Sequence, residues 1–215
     1  ADAYGHGDVR LGRHLNRLGV KAFAVASLGE GVRLRRAGVK GEILVLGYTP
    51  ASGARELRRC RLTQTVADLS HARELNAAGV PLAVHVKINT GMNRLGEDAA
   101  PACAAADVFG LKNLVVEGIF THLGVSDSLA LEDVEYTNRQ LARFGQTLDA
   151  LRAAGLRIPK RHIQSTYGVL NYPNLRCEYA RIGLGLYGVL SRPGEKTVLT
   201  PDLRPVLSFK ARVAL

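Results

Sequence analysis

Residues able to do chemistry gather at a few points of the chain. Lys87-Ile88-Asn89-Thr90-Gly91-Met92-Asn93-Arg94-Leu95-Gly96 joins two cations through a short polar loop. Thr121-His122 sets a hydroxyl beside an imidazole, and Gln164-Ser165-Thr166-Tyr167 adds further hydroxyls. Arg181 precedes Gly183 and Gly185, whose backbone N–H groups a ligand can approach closely. Each group ends or follows a β-rich run, and in parallel α/β folds the active groups lie at the C-terminal ends of the strands. Cations, an imidazole, hydroxyls and open N–H groups converging on one mouth suit an anionic, phosphorylated ligand. Barrels often bind phosphate near their last two strands, which here means Thr166 and the turn Arg181-Ile182-Gly183-Leu184. Taken singly, His122 reads as a hydrogen-bonded core histidine, Lys87 and Arg94 read as a solvated loop, and the turn Tyr4-Gly5-His6-Gly7 carries little. Arg181 differs: it stands among apolar residues, where a guanidinium needs an acceptor or an anion. Joint placement at successive strand ends favours the functional reading.

The elements that must position these groups alternate in type. β-rich runs fall at 22–27, 42–48, 62–68, 81–89, 115–123, 161–166 and 178–188, and amphipathic stretches at 28–37, 51–60, 70–78, 98–109, 131–154 and 167–172. The spacing Ser27-x-x-Glu30 predicts a capping box. Ala37-Gly38-Val39, Ala78-Gly79-Val80 and Ala154-Gly155-Leu156 read as left-handed helix stops leading into the next strand. Strands separated by helices without hairpin signals predict a parallel sheet, and both a doubly wound sheet and a (β/α)8 barrel fit. The barrel needs one more strand, expected just before the glycine-rich turn at residues 1–7. Residues 193–205 are turn-rich, and 206–215 form a β-type run. The expected organisation is a barrel over 1–192 lacking its first strand, then a linker and the first strand of a C-terminal β domain over 193–215.

Composition narrows the classes further. With 47% hydrophobic and 22% charged residues, the chain has a globular core, not a disordered or collagen-like character. Cys60, Cys103 and Cys177 are widely spaced and form no C-x-x-C, which predicts a reducing compartment and no metal site. No apolar run approaches the roughly 18 to 20 residues of a membrane span, and no signal peptide opens the chain. The net charge of +10 raises the question of nucleic acid. The arginines, however, are scattered over helical stretches at 33–36, 55–59 and 152–157. A solvated outer face is the expectation there, with no nucleic-acid partner.

Four motifs together closely resemble the alanine racemases: Ala1-Asp2-Ala3-Tyr4-Gly5-His6-Gly7, the Lys87 to Gly96 string, Gly118-Ile119-Phe120-Thr121-His122-Leu123, and Arg181 to Gly188. They occur in order along essentially the whole chain. The resemblance implies a pyridoxal-phosphate enzyme built as a (β/α)8 barrel with a C-terminal β domain, acting on a small amino acid as a head-to-tail homodimer. It implies a racemase supplying D-alanine or D-serine for peptidoglycan. The stretch from His162 to Pro173 looks more like the serine/alanine racemase branch linked to vancomycin resistance, in which the racemase half is often fused behind a membrane-spanning half. The implied location is cytoplasmic, or the cytoplasmic half of a membrane-anchored protein.

Carried over by position, Tyr4 and Thr166 hydrogen-bond the cofactor phosphate with the N–H groups of Gly183 and Leu184, and Arg181 faces the pyridine nitrogen. A guanidinium holds its proton, so that nitrogen stays unprotonated and reprotonation of the substrate outruns transamination. The resemblance makes His122 a buttress of Arg181. It has Arg94 contact the cofactor's phenolic oxygen and the substrate carboxylate, and it makes Lys87 a candidate for carbamylation that holds the arginine in place. Racemisation needs one base on each face of the α-carbon. In the family these are the cofactor-bearing lysine, expected immediately before Ala1, and a partner-subunit tyrosine expected beyond Leu215, so residues 1–215 alone are expected to be inactive. Asn89 stands where the family usually has Asp, and Ser165-Thr166 where it has Asn-Ser. The competing expectations are a D-amino-acid aldolase or decarboxylase relative on the same barrel, and a non-enzymatic pyridoxal-phosphate carrier. Decarboxylation profits from a protonated ring with an acidic partner, which Arg181 does not supply.

Overall fold

The computed structural model describes residues 2–99, 104–158, 160–192, 195–208 and 210–212. Its strands are β1 (Ala22–Val25), β2 (Glu42–Val45), β3 (Thr63–Val66), β4 (Leu82–Asn89), β5 (Glu97–Asp98), β6 (Leu114–Phe120) and β7 (Lys160–His162). Every pairing is parallel, in the order β1-β2-β3-β4-β6-β7, with β5 attached to β4. The helices are α1 (Asp8–Arg17), α2 (Leu28–Arg36), α3 (Ala54–Arg59), α4 (Leu69–Ala77), α5 (Ala105–Phe109), α6 (Leu131–Ala153) and α7 (Thr166–Asn171). Among the described residues no helix is long and apolar enough to cross a membrane.

One ion pair decides between an open sheet and a curled one. Glu42 on β2 and Lys160 on β7 stand four steps apart in the ladder, which in a flat sheet would separate them by about 19 Å. Their charged atoms are 2.7 Å apart. The sheet therefore curls until its second and last strands meet across the interior, the arrangement of a (β/α)8 barrel wall. The period of two along β4 sorts the faces. Val84, Val86 and Ile88 pack under the helices in the hydrophobic core, while His85 and Lys87 turn inward and are buried.

Local chemistry sets the ends of the elements. Ser27 caps α2 by accepting from the Glu30 N–H, and the carboxylate of Glu30 draws in turn on the Ser27 N–H, as a capping box requires. It accepts from the N–H groups of Ala26 at 2.7 Å and Asp2 at 2.8 Å, and so ties the first turn of the chain to the start of α2. Asp68 caps α4 through the His71 N–H. The stop at Gly38 is as expected: φ is 83°, and the Val39 N–H reaches back to Leu34 O.

Several expectations need correction. Residues 178–188 do not form a strand. The chain makes a single parallel bridge between Tyr179 and His162 and then a 3₁₀ turn over Leu184–Tyr187. The reason is competition for backbone donors: Glu178 takes the Arg161 N–H at 2.7 Å, and Thr166 Oγ1 takes those of Gly183 and Gly185. The helix expected over 98–109 is reduced to α5, because Glu97–Asp98 joins β4 as β5; residues 100–103 of that stretch lie outside the described residues. Helix α1 has no counterpart among the expected elements, although Arg10, Arg13, His14 and Arg17 make it strongly amphipathic. The β-type run at 206–215 shows no strand among its described residues, and 209 and 213–215 lie outside them. The Val206 N–H instead bonds to Tyr187 O.

Candidate active site

The inward-facing residues of β4, β6 and β7 converge on Arg181. Its Nη1 donates to His162 Nδ1 at 2.6 Å, and its Nη2 donates to Thr121 O at 2.8 Å, His122 Nδ1 at 3.0 Å and Ile163 O at 3.1 Å. The guanidinium carbon lies 5.1 Å from the centre of the Phe120 ring, and that ring stacks on His162. Burial pushes the Arg181 pKa down to about 10, which still leaves it charged at neutral pH. Its imidazole partners are neutral there. Burial, then Arg181, Arg94 and Lys87, push His122 down to about 4; burial and then Arg181 push His162 down to about 2. Arg181 Nε takes no part in these four bonds.

Lys87 and Arg94 belong to the same mouth. Lys87 is 4% exposed on the inner face of β4. Burial first, then the charges of Arg94 and Arg181, lower its pKa to about 8. Arg94 is exposed on the loop beyond β4. Asn89 braces that loop: its Oδ1 accepts from Gly91 and Asn93 N–H, and its Nδ2 donates to Asn93 Oδ1 and Asp98 Oδ1. An ionised Asp at position 89 would repel Asp98, so the exchange for Asn fits this loop. Helix α6 clamps the loop from outside through Tyr136 Oη to Gly91 O at 2.7 Å and Gln140 Nε2 to Thr90 Oγ1 at 3.2 Å.

A second group of residues faces this one. Thr166, at the start of α7, is 7% exposed, and its Oγ1 accepts from the N–H groups of Gly183 at 3.0 Å and Gly185 at 3.3 Å. Leu184 lies between them and opens the 3₁₀ turn. Tyr4 stands over Gly183 and is 61% exposed; a Cβ on Gly183 would come within 2.8 Å of Tyr4 Oη. A Cβ on Gly185 would come within 2.7 Å of Thr166 Cγ2. The turn that delivers Tyr4 is left-handed at Asp2, Ala3 and Tyr4, with φ of 50°, 53° and 57°, a conformation L residues adopt at a cost. The expected phosphate residues Tyr4, Thr166, Gly183 and Leu184 are thus neighbours, and Arg181 and His122 are in direct contact. Lys87 and Arg94 lie beside them.

Sequence reasoning missed Glu42, His85 and His162. Glu42 accepts from Lys160 Nζ at 2.7 Å and Tyr179 Oη at 3.0 Å, and His85 Nδ1 meets His162 Nε2 at 2.9 Å. Polar residues intruding at alternate positions of an apolar strand, as in Leu82–Asn89, are the signal that could have found His85.

Comparisons with known proteins agree with this arrangement. The family described as "Alanine racemase, N-terminal domain" matches residues 1–191. An amino-acid racemase of Enterococcus faecalis is 42% identical over 215 residues, covering 100% of this chain and 30% of that protein. The serine/alanine racemase of Enterococcus gallinarum is 40% identical, covering 99% of this chain and 30% of that protein. A solved structure of alanine racemase from Clostridium difficile 630, in complex with cycloserine, matches with a TM-score of 0.84 at 32% identity, over 95% of this chain and 57% of that one. The chain thus spans about a third of the length of the first two relatives and somewhat over half of the third.

Proposed function

The chain belongs to the alanine racemase family, and from that premise we propose that it is the cofactor-binding part of a pyridoxal-phosphate racemase interconverting L- and D-alanine or L- and D-serine. The residues fit such a cofactor on their own geometry. A Cβ on Gly183 or Gly185 would collide with Tyr4 Oη or Thr166 Cγ2, so glycine at both positions lets these two hydroxyl-bearing side chains close on the turn, and buried Lys87 makes no ion pair or hydrogen bond among the described residues. Tyr4 Oη, Thr166 Oγ1 and the Leu184 N–H would hold the phosphate, joined by the Gly183 N–H once it leaves Thr166 Oγ1. Arg181 would face the ring nitrogen, His122 would support Arg181, and Arg94 would take the substrate carboxylate. When bound, pyridoxal phosphate supplies the electron sink that acidifies the substrate α-proton.

The observation that carries this reading is Arg181 itself: a donor-only cation whose hydrogen-bond partners are backbone carbonyls and two neutral imidazoles. None of these groups can pass a proton to a ring nitrogen at neutral pH, so Arg181 holds that nitrogen as an acceptor. That arrangement favours prompt return of the α-proton over transamination. Lys87, converted to a carbamate, would bring a negative charge between Arg94 and Arg181. We further propose a homodimer that serves D-amino-acid supply for peptidoglycan on the cytoplasmic side of the membrane. The test uses the full-length protein, because the chain spans only part of the length of its relatives. Incubated with pyridoxal phosphate and L-alanine or L-serine, it is expected to form the D-enantiomer of at least one. Failure to incorporate the cofactor and to form either D-amino acid overturns the reading.

A further inference from the structure

A run of hydrogen-bonding groups crosses the barrel interior behind Arg181. His162 Nδ1 receives Arg181 Nη1 at 2.6 Å, and His162 Nε2 meets His85 Nδ1 at 2.9 Å. His85 Nε2, buried and without a hydrogen-bond partner among the described residues, faces Glu42 Oε1 at 3.2 Å, off the line of a straight bond. The other oxygen of Glu42 accepts from Lys160 and Tyr179.

Arginine offers only donors, so His162 Nδ1 must accept and the proton of His162 sits on Nε2. His162 Nε2–H then donates to His85 Nδ1, which puts the proton of His85 on Nε2, facing the carboxylate. No other assignment satisfies each contact in turn. We propose that Glu42, His85 and His162 form a one-way donor chain that anchors Arg181 from the far end of the barrel, with Glu42 as its positioning residue and counter-charge. The low pKa of His162 is consistent with this, since its Nδ1 stays open to Arg181. The functional consequence rests on the reading of Arg181 given above; the polarity of the chain does not.

Glu42→Gln tests the polarity at its origin. The amide oxygen turns to Lys160 and the amide N–H groups face His85 Nε2, which must then accept. That moves the His85 proton to Nδ1 and sets the reversed chain against Arg181. Lys160→Met removes one of the two donors to the other oxygen of Glu42, keeps Tyr179, and leaves the chain intact.

The experiment is ¹⁵N NMR of histidine-labelled full-length protein at neutral pH, with racemisation kinetics alongside. In the wild type, His85 and His162 are each expected to carry one proton, on Nε2. In Glu42→Gln, His85 is expected to gain Nδ1–H character and kcat to fall about tenfold, with KM held within about twofold. In Lys160→Met, tautomers and kcat are expected to stay close to wild type. A proton on Nδ1 of either histidine in the wild type overturns the proposal without reliance on any variant. So do Glu42→Gln tautomers and kinetics equal to wild type, or equal effects of Glu42→Gln and Lys160→Met. A wild-type protein that racemises nothing overturns the functional reading instead, and the tautomers alone then decide the chain.

Discussion

Lys87 shows how a single burial changes what a side chain can become. An exposed lysine is almost wholly protonated at neutral pH. Lys87 has been brought down to about 8 by burial and by two neighbouring arginines, so roughly a tenth is the free amine at pH 7. Carbon dioxide adds to the free amine, with loss of a proton, to give a carbamate. At fixed bicarbonate, the carbamate of full-length protein labelled with ¹³C-bicarbonate is expected to rise with pH through about 8 and level by about 9, where exposed lysines would continue to rise. Lys87→Arg should remove the signal. A carbamate curve that climbs past about pH 9 without levelling would remove Lys87 as its site. The product reverses the charge at the point where Arg94 and Arg181 repel the ammonium, so the modification is favoured by the site that forms it.

At the level of elements, the ladder between β4 and β6 decides whether the interior can hold an imidazole. His85 lies in register with Gly118, next to an irregularity between Val84 and His85. A Cβ on Gly118 would come within 2.5 Å of three ring atoms of His85, and the ring is fully buried. Gly118→Ala is expected to lower stability by about 1–3 kcal/mol, read as a reduced urea midpoint; an unchanged midpoint would mean that the ring is free to move. Elements carried by a strong pattern were legible: β1 to β4, β6 and α6 fall within a few residues of the stretches that hydrophobic periodicity and glycine stops mark. Residues 178–188 were not, because their conformation is set by Glu178 and Thr166 side chains taking backbone donors, which no periodicity records. The mouth residues were legible as motifs, whereas Glu42 was not. Its meaning lies in His85, Lys160 and Tyr179, and nothing in Glu42–Val45 names partners so far away in sequence.

On the scale of the whole molecule, one carboxylate joins opposite walls. Burial raises the pKa of Glu42, but the contacts from His85 and Lys160 outweigh it and hold the group at about 2. A carboxylate whose folded pKa is depressed adds stability that is complete above its ordinary value of about 4.3 and is lost as pH falls through the folded value. The contribution is on the order of 3 kcal/mol. Stability of the wild type, followed by urea unfolding, is expected to decline between about pH 5 and pH 2 more steeply than that of Glu42→Gln. Parallel declines would show that the ion pair does not carry the acid response. The same carboxylate closes the curl of the sheet and ends the donor chain behind Arg181.

Neighbouring strands in this sheet follow one another along the chain, so each crossover can dock soon after it leaves the ribosome. Glu42 cannot complete its contacts in that way. Its lysine is made 118 residues later, a wait on the order of 10 s at ordinary rates of translation. Through that interval the nascent sheet carries an ionised group on the face destined to become its interior. The wall that carries Glu42 can therefore be closed over its carboxylate only once Lys160 has been made.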